Sequence, residues 1–203
     1  MLRPDFGHTG IEQNMIKRLI TPFILMGVLV LAGCAAPLEV SEDPVGDLAR
    51  TIQSLDPAVD PAEARRAAEI SYSHATQLAQ DYGVTTTPIL HNTKVNTGLK
   101  ERGLCFHYAI DMQARLEQEE FKTLVMLRAI AEPKTEFNID HSTAIIAARG
   151  ADIYDGVVLD PWRYGGDLFW SPTTEDTRYN WEPRLDVLRR KGERLVARNA
   201  VSG

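Results

Sequence analysis

The feature that most constrains this chain is a change of apolar period near Phe121. Before it, apolar residues recur at helical spacing. Ala64, Ala67, Ala68, Ser71, Ala75, Leu78 and Tyr82 form one stripe, and Cys105, Ala109, Met112 and Leu116 fall at i, i+4, i+7 and i+11 of another. After it come apolar runs too short for helices: Lys122 to Ile130, Ser142 to Ala148, Val157 to Leu159 and a short edge at Leu168 to Trp170. Punctuation agrees with the periods. Asp60-Pro61-Ala62-Glu63 reads as a helix start, with Asp60 as cap, Pro61 in the first turn and Glu63 placed as in a capping box, and Gly83 closes that helix. Pro44 to Leu55 reads as a short helix, Thr85-Thr86-Thr87-Pro88 breaks the helical pattern, and Glu182 to Arg190 reads as a final helix. Glu117 to Glu120 reads as a solvated helix end, Asp160-Pro161 stops the third strand, and Gly165-Gly166 turns the backbone. Helices first, then a helix followed by successive strands, predict an α+β fold with an antiparallel sheet and a helix packed on one face.

The first forty residues carry a different message. Lys17 and Arg18 precede an apolar run from Leu19 to Leu31 that ends in Leu31-Ala32-Gly33-Cys34. Charge, a short apolar stretch and small residues at a cleavage point are the layout of an export signal. Leu31-Ala32-Gly33-Cys34 resembles the lipobox of bacterial lipoproteins. The resemblance implies cleavage before Cys34, lipidation of its thiol, and a membrane anchor in which each buried methylene contributes about 0.8 kcal/mol. Ala35 resembles the residue of lipoproteins sorted to the outer membrane, so the expected location is the cell envelope, facing the periplasm. Residues 1–33 are then the signal, with Met15 the better start. Residues 34–44 form a polar tether carrying Pro37, Glu39, Glu42 and Asp43, and 45–203 form a single domain.

The chain has a net charge of −6, and the signal removes Arg3, Lys17 and Arg18 against only Asp5 and Glu12. An acidic remainder weighs against nucleic acid as a partner. Of the two cysteines, a lipidated Cys34 leaves Cys105 without an intramolecular partner in an oxidising compartment, which asks for a role.

Three residues stand where such a role would need them: Cys105 at the start of the third predicted helix, His141 at the start of a strand and Asp160 at the end of the next. Thiol chemistry needs a thiolate. A helix N-terminus and a neighbouring imidazolium lower a thiol from about 8.5 into the range of about 3.5–7.5. A carboxylate holds the imidazole in one tautomer, and the backbone N–H of the cysteine can face the developing oxyanion. Gly103, two residues before the thiol, would let substrate approach the backbone. The order Cys, His, Asp, with Gly103-Leu104-Cys105-Phe106-His107-Tyr108-Ala109 and Leu159-Asp160-Pro161-Trp162, resembles the core of the transglutaminase-like (papain-like) superfamily over about Asn92 to Trp170. Many members carry an aromatic after the histidine, where this protein has Ser142 and Thr143. The resemblance implies Cys105 as nucleophile, His141 as general base and acid, Asp160 as orienting carboxylate, and acyl transfer through a thioester on a peptide or protein substrate in the envelope, with no metal or cofactor.

A second oxyanion donor would come from the segment leading to Cys105, where Asn96 is preferred over Asn92 and His91. His107 lies two residues from Cys105 and points to another helical face, and His74 reads as structural. Trp162, Tyr164, Phe169 and Trp170 read either as core or as a wall of the substrate groove, and Arg102 and Arg163, which flank the site, as solvated surface residues in preference to binders of an acidic substrate group. The competing expectation is a non-catalytic envelope lipoprotein of the same fold that binds a peptide or a cell-wall component.

Overall fold

The computed structural model describes residues 41–133 and 139–201. The export signal, the lipidation at Cys34, the sorting residue Ala35 and most of the tether lie outside the described residues.

Helix α1 (Pro44–Gln53) starts where the Asp43 side chain accepts the Gly46 N–H at 2.8 Å. Helix α2 (Pro61–Asp81) starts at Asp60, whose carboxylate accepts the N–H groups of Ala62 and Glu63 at 2.7 and 3.3 Å. Glu63 does not complete the expected capping box. Its buried carboxylate instead accepts from the Lys122 and Thr123 N–H groups at 2.7 and 2.8 Å and from Thr123 Oγ1 at 2.6 Å. The first turn of α2 is thereby tied to the entry of the sheet. Helix α3 (Pro88–Asn96) has no counterpart in the apolar pattern. It opens with proline in its first turn, which the threonine run disguises as a break. It buries His91 and Asn92 while exposing Ile89 and Leu90, so it carries no apolar stripe. Helix α4 (Cys105–Glu117) begins at the cysteine.

Strands β1 (Leu124–Ala131), β2 (His141–Ala148), β3 (Gly156–Tyr164), β4 (Asp167–Pro172) and β5 (Glu182–Pro183) form one antiparallel sheet in the order β4-β3-β2-β1-β5. The mixed helix and antiparallel-sheet architecture is the α+β arrangement. Strand β3 runs beyond Asp160-Pro161 rather than stopping there, because the pairing with β4 shifts register between Asp160 and Tyr164 and so accommodates a proline that cannot donate to the ladder. Gly165 and Gly166, at φ +69° and +117°, close the β3–β4 hairpin. Glu182 and Pro183 pair with Ile130 and Ala129 instead of opening the last helix, so α5 spans Arg184–Val201.

The two-residue period of the strands divides the sheet. Leu124, Met126, Ala144, Ile146, Val157 and Leu159 pack with Leu48, Ile52, Ala67, Met112 and Leu116 of the helices. Ala129, Ala131, Ile145 and Val158 form the opposite face with Ile153 and Trp181. His141, four residues before Ile145, and Asp160, two after Val158, belong by parity to this second face.

Replacing Glu63 by Ala strips the acceptor from two N–H groups at the sheet entry. A loss on the order of 3 kcal/mol is expected, read as a lowered urea midpoint. An unchanged midpoint would show that the carboxylate does not hold α2 to β1.

Candidate active site

The start of β2 and the middle of β3 bring His141 and Asp160 together out of solvent. His141 Nε2–H donates to Asp160 Oδ2 at 2.6 Å, with both side chains almost fully buried. This fixes the tautomer, because the Nε2 nitrogen must carry the proton to bond a carboxylate. The other ring nitrogen, Nδ1, is buried without a hydrogen-bond partner among the described residues. The thiol of Cys105 reaches the same place from α4. Its Sγ lies 3.8 Å from the carbonyl oxygen of Asp140, the residue before His141, and the residue is 8% exposed. Burial pushes the His141 imidazole down, but the charge and hydrogen bond of Asp160, together with the Cys105 side chain, outweigh it and raise the imidazole from 6.5 to about 9. Trp162, Tyr179 and Trp181 box the ring at centroid distances of 4.8, 4.5 and 5.4 Å.

Asp160 is itself held. Its Oδ2 also accepts from Arg163 Nε at 3.0 Å, and its Oδ1 accepts the Arg163 N–H at 3.2 Å. Arg163 is buried rather than solvated, which corrects the expectation for this residue. Its fork donates to Asp176 Oδ1 and Oδ2 at 3.2 and 2.6 Å, and the indole N–H of Trp181 donates to the same Asp176 at 2.9 Å. The guanidinium lies 3.6 Å from the Phe169 ring centroid. A relay of alternating charge, His141–Asp160–Arg163–Asp176, thus runs under the site. Burial pushes the Asp176 carboxyl up, but Arg163 and the Trp181 N–H hold it below the ordinary carboxylate value.

The loop before Cys105 is fastened by two histidines. His107 turns its ring back on the loop: its Nδ1 accepts the N–H groups of Gly103 and Leu104, each at 3.2 Å, and so caps α4. Burial and the Arg102 charge lower its pKa, which keeps the ring neutral for that task. His91 is buried with its Nε2 3.0 Å from the Arg102 carbonyl oxygen. Gly103 has φ +121°, and a Cβ there would meet His91 Nε2 at 2.2 Å. The space that glycine leaves is therefore filled by His91, not kept open for substrate. Cys105 follows as the first residue of α4, where its own N–H has no intrahelical acceptor.

Beside the His141 box lies a groove of about 560 Å³ lined by Asn92, Asn96, Ile139, Trp162, Arg178 and Tyr179 among others. Asn96 is exposed there, one turn beyond Asn92. Asn92 is buried, and its Oδ1 accepts the Trp162 indole N–H at 3.1 Å, which aligns its amide donor edge. Of the aromatic cluster, Trp162 joins the site, whereas Phe169 stacks on Arg163, Trp170 Nε1 donates to Tyr72 OH at 2.9 Å and Tyr164 is exposed. Arg102 pairs with Asp111 at 2.7 Å and lies over Tyr82. His74 meets the Asp111 carbonyl oxygen at 3.3 Å, and Glu119 pairs with Arg66 and Arg115 instead of being merely solvated. Among the described residues no group of three His, Cys, Asp or Glu side chains is arranged to hold a metal. Arg163, Asp176, Tyr179, Trp181 and His107 carry no sequence signal beyond being polar or aromatic, because a side chain that packs on or hydrogen-bonds near Cys105, His141 or Asp160 leaves no motif. No protein-family model, curated protein or solved structure matches this protein.

The His141 imidazole should titrate near 9 by NMR and fall toward its ordinary value in Asp160→Asn. Since the folded value is raised, its stabilising contribution is complete below about 6.5 and is lost as pH rises through about 9, so the urea midpoint should drop across that window. Arg163→Met leaves Asp160 and Asp176 buried with their cation removed and should cost about 3–5 kcal/mol in urea unfolding. A loss below about 1 kcal/mol would mean that the guanidinium is not what neutralises the two acids.

Proposed function

We propose that this protein is an envelope lipoprotein whose domain performs thiol-dependent acyl transfer on peptide or amide bonds. The observation that carries the reading is the His141 ring, held by Asp160 through Nε2, with its other nitrogen unpartnered among the described residues and the Cys105 thiol beside it. An imidazole raised to about 9 is cationic at neutral pH, with Asp160 as its counter-ion, and a cysteine beside such a cation is the arrangement that thiol chemistry uses. The thiolate of Cys105 attacks the carbonyl carbon, forming a C–S bond. The oxyanion is met by the Cys105 N–H and by the amide of Asn92, which Trp162 fixes more firmly than anything fixes Asn96. His141 gives its proton to the departing amine and the C–N bond breaks, leaving a thioester. Water or an amine then attacks, His141 takes the proton, and the thiolate leaves.

The placement of the three residues, on a helix start and two adjacent strands, supports a transglutaminase-like core over about Asn92 to Trp170. The sequence Leu31-Ala32-Gly33-Cys34 with Ala35 supports a lipid anchor and the periplasmic side of an outer membrane. The second reading, a non-catalytic binding domain, draws on one observation: Cys105 is only 8% exposed.

Iodoacetamide alkylation of Cys105 against pH separates the two. The full-length protein in detergent, with Cys34→Ser so that Cys105 is the sole thiol, is compared with its His141→Ala variant. A midpoint well below about 8.5 that rises in the variant is expected. A thiol that reacts only on unfolding, or with a midpoint unmoved by the variant, leaves the binding domain. Against a cleavable substrate, Cys105→Ala should abolish turnover, and His141→Ala should lower it by about 10²–10⁴-fold or more.

A further inference from the structure

Away from the His141 box, the edge of β1 opens into a groove of about 450 Å³ between β1, α4 and the first turns of α5. Strand β5 pairs only with Ala129 and Ile130, so the β1 backbone from Met126 to Arg128 reaches this groove without a strand beside it. Three arginines line it, Arg128, Arg184 and Arg189, and the first two are close neighbours because Ala129 pairs with Pro183. Neither has an acidic partner among the described residues, although Arg50, Arg65, Arg66, Arg102, Arg115, Arg163, Arg189, Arg190 and Arg194 all do. The one carboxylate in the lining, Asp186, is already taken by Arg189 at 3.3 Å. Arg128 Nε is buried with no hydrogen-bond partner among the described residues, a condition that asks for an explanation. Burial, and then repulsion from Arg184, depress the Arg128 guanidinium, while the charge of Cys105 opposes them. Two half-buried cations held together without an anion mark a place where an anion from outside would be welcome.

We infer that this groove binds an extended peptide through a carboxylate that bridges Arg128 and Arg184, with the peptide backbone laid along the open edge of β1. Edge pairing supplies sequence-independent hydrogen bonds, and the two guanidinium forks supply the choice of an acidic peptide. Ala131 pairs with His141, and Arg128 lies three residues back along β1, about 10 Å in an extended strand. Strand β5, paired with Ala129 and Ile130, stands between this stretch of β1 and the His141 end, so the peptide lies on the other side of β5 from that site. The binding does not depend on the acyl-transfer reading above. The carboxylate is either an acidic side group or the free C-terminus of the peptide, and both present the same two oxygens.

The test uses the full-length protein in detergent with Cys105→Ala, so that binding is read without turnover. Three fluorescein-labelled peptides are titrated by anisotropy: tetra-glutamate with an amidated C-terminus, tetra-glutamine with a free C-terminus, and tetra-glutamine amidated. Binding of either of the first two, with the third at least about ten-fold weaker, is expected and identifies the carboxylate's source. Arg184→Gln, on a half-buried residue that should leave the fold intact, weakens the preferred peptide about ten-fold, and Arg128→Gln does the same where urea unfolding shows it folded. Equal binding of all three peptides, binding of none, or an unchanged affinity in Arg184→Gln overturns the inference. These results stand apart from the alkylation of Cys105, so a groove that binds acid beside an inert thiol would be recognised as such.

Discussion

The structure turns on the cost of burying charge. His141, Asp160, Arg163 and Asp176 are all withdrawn from water, and any one of them alone would be expensive to leave there. They are tolerated because they alternate in sign and share oxygens: Asp160 Oδ2 serves both His141 and Arg163, and Asp176 closes the far end against Trp181. Backbone geometry makes this possible. Period two puts His141 and Asp160 on one face of adjacent strands, and the register shift after Asp160 turns Arg163 back onto the carboxylate three residues before it. A regular strand would have left Arg163 pointing away from Asp160, since residues an odd number apart lie on opposite faces.

The thiol is set by a separate mechanism. Its helix needs a first turn that starts at Cys105, and the N–H groups of Gly103 and Leu104 need acceptors. His107 provides them from within the helix, and His91 fills the space against Gly103. The two halves of the site therefore have independent supports, one in the sheet and one in the loop, and they meet at Asp140 and His141.

What can be read from the residues follows from which of them act directly. The stripe from Ala64 to Tyr82 and the alternation in the strands are packing signals, and packing writes itself into apolar period. Cys105 and His141 open a helix and a strand, where a residue type and a position together carry meaning, and Asp160 is legible from the proline that follows it. Helix α3 is not legible because it buries His91 and Asn92 and exposes Ile89 and Leu90, the reverse of the usual sign. Arg163 and His107 escape sequence reasoning because a charged or titratable residue near a site has no mark that separates a buried support from a solvated neighbour. Asn96 and Asn92 differ only by what touches them, and the Trp162 indole that distinguishes them lies 70 residues from Asn92 in the sequence.

The contact between His91 and Gly103 bears on how this protein can change over time. A glycine at φ +121° whose missing side chain is replaced by an imidazole 2.2 Å from where a Cβ would stand cannot gain even a methyl group unless residue 91 shrinks or moves. Residue 91 in turn cannot shrink without opening a void under the loop and freeing the Arg102 carbonyl. The two positions are thus linked in inheritance: a lineage crosses from this pair to another through an intermediate in which the thiol's loop is either strained or slack. Drift should be slow at both sites together, even though neither residue performs chemistry.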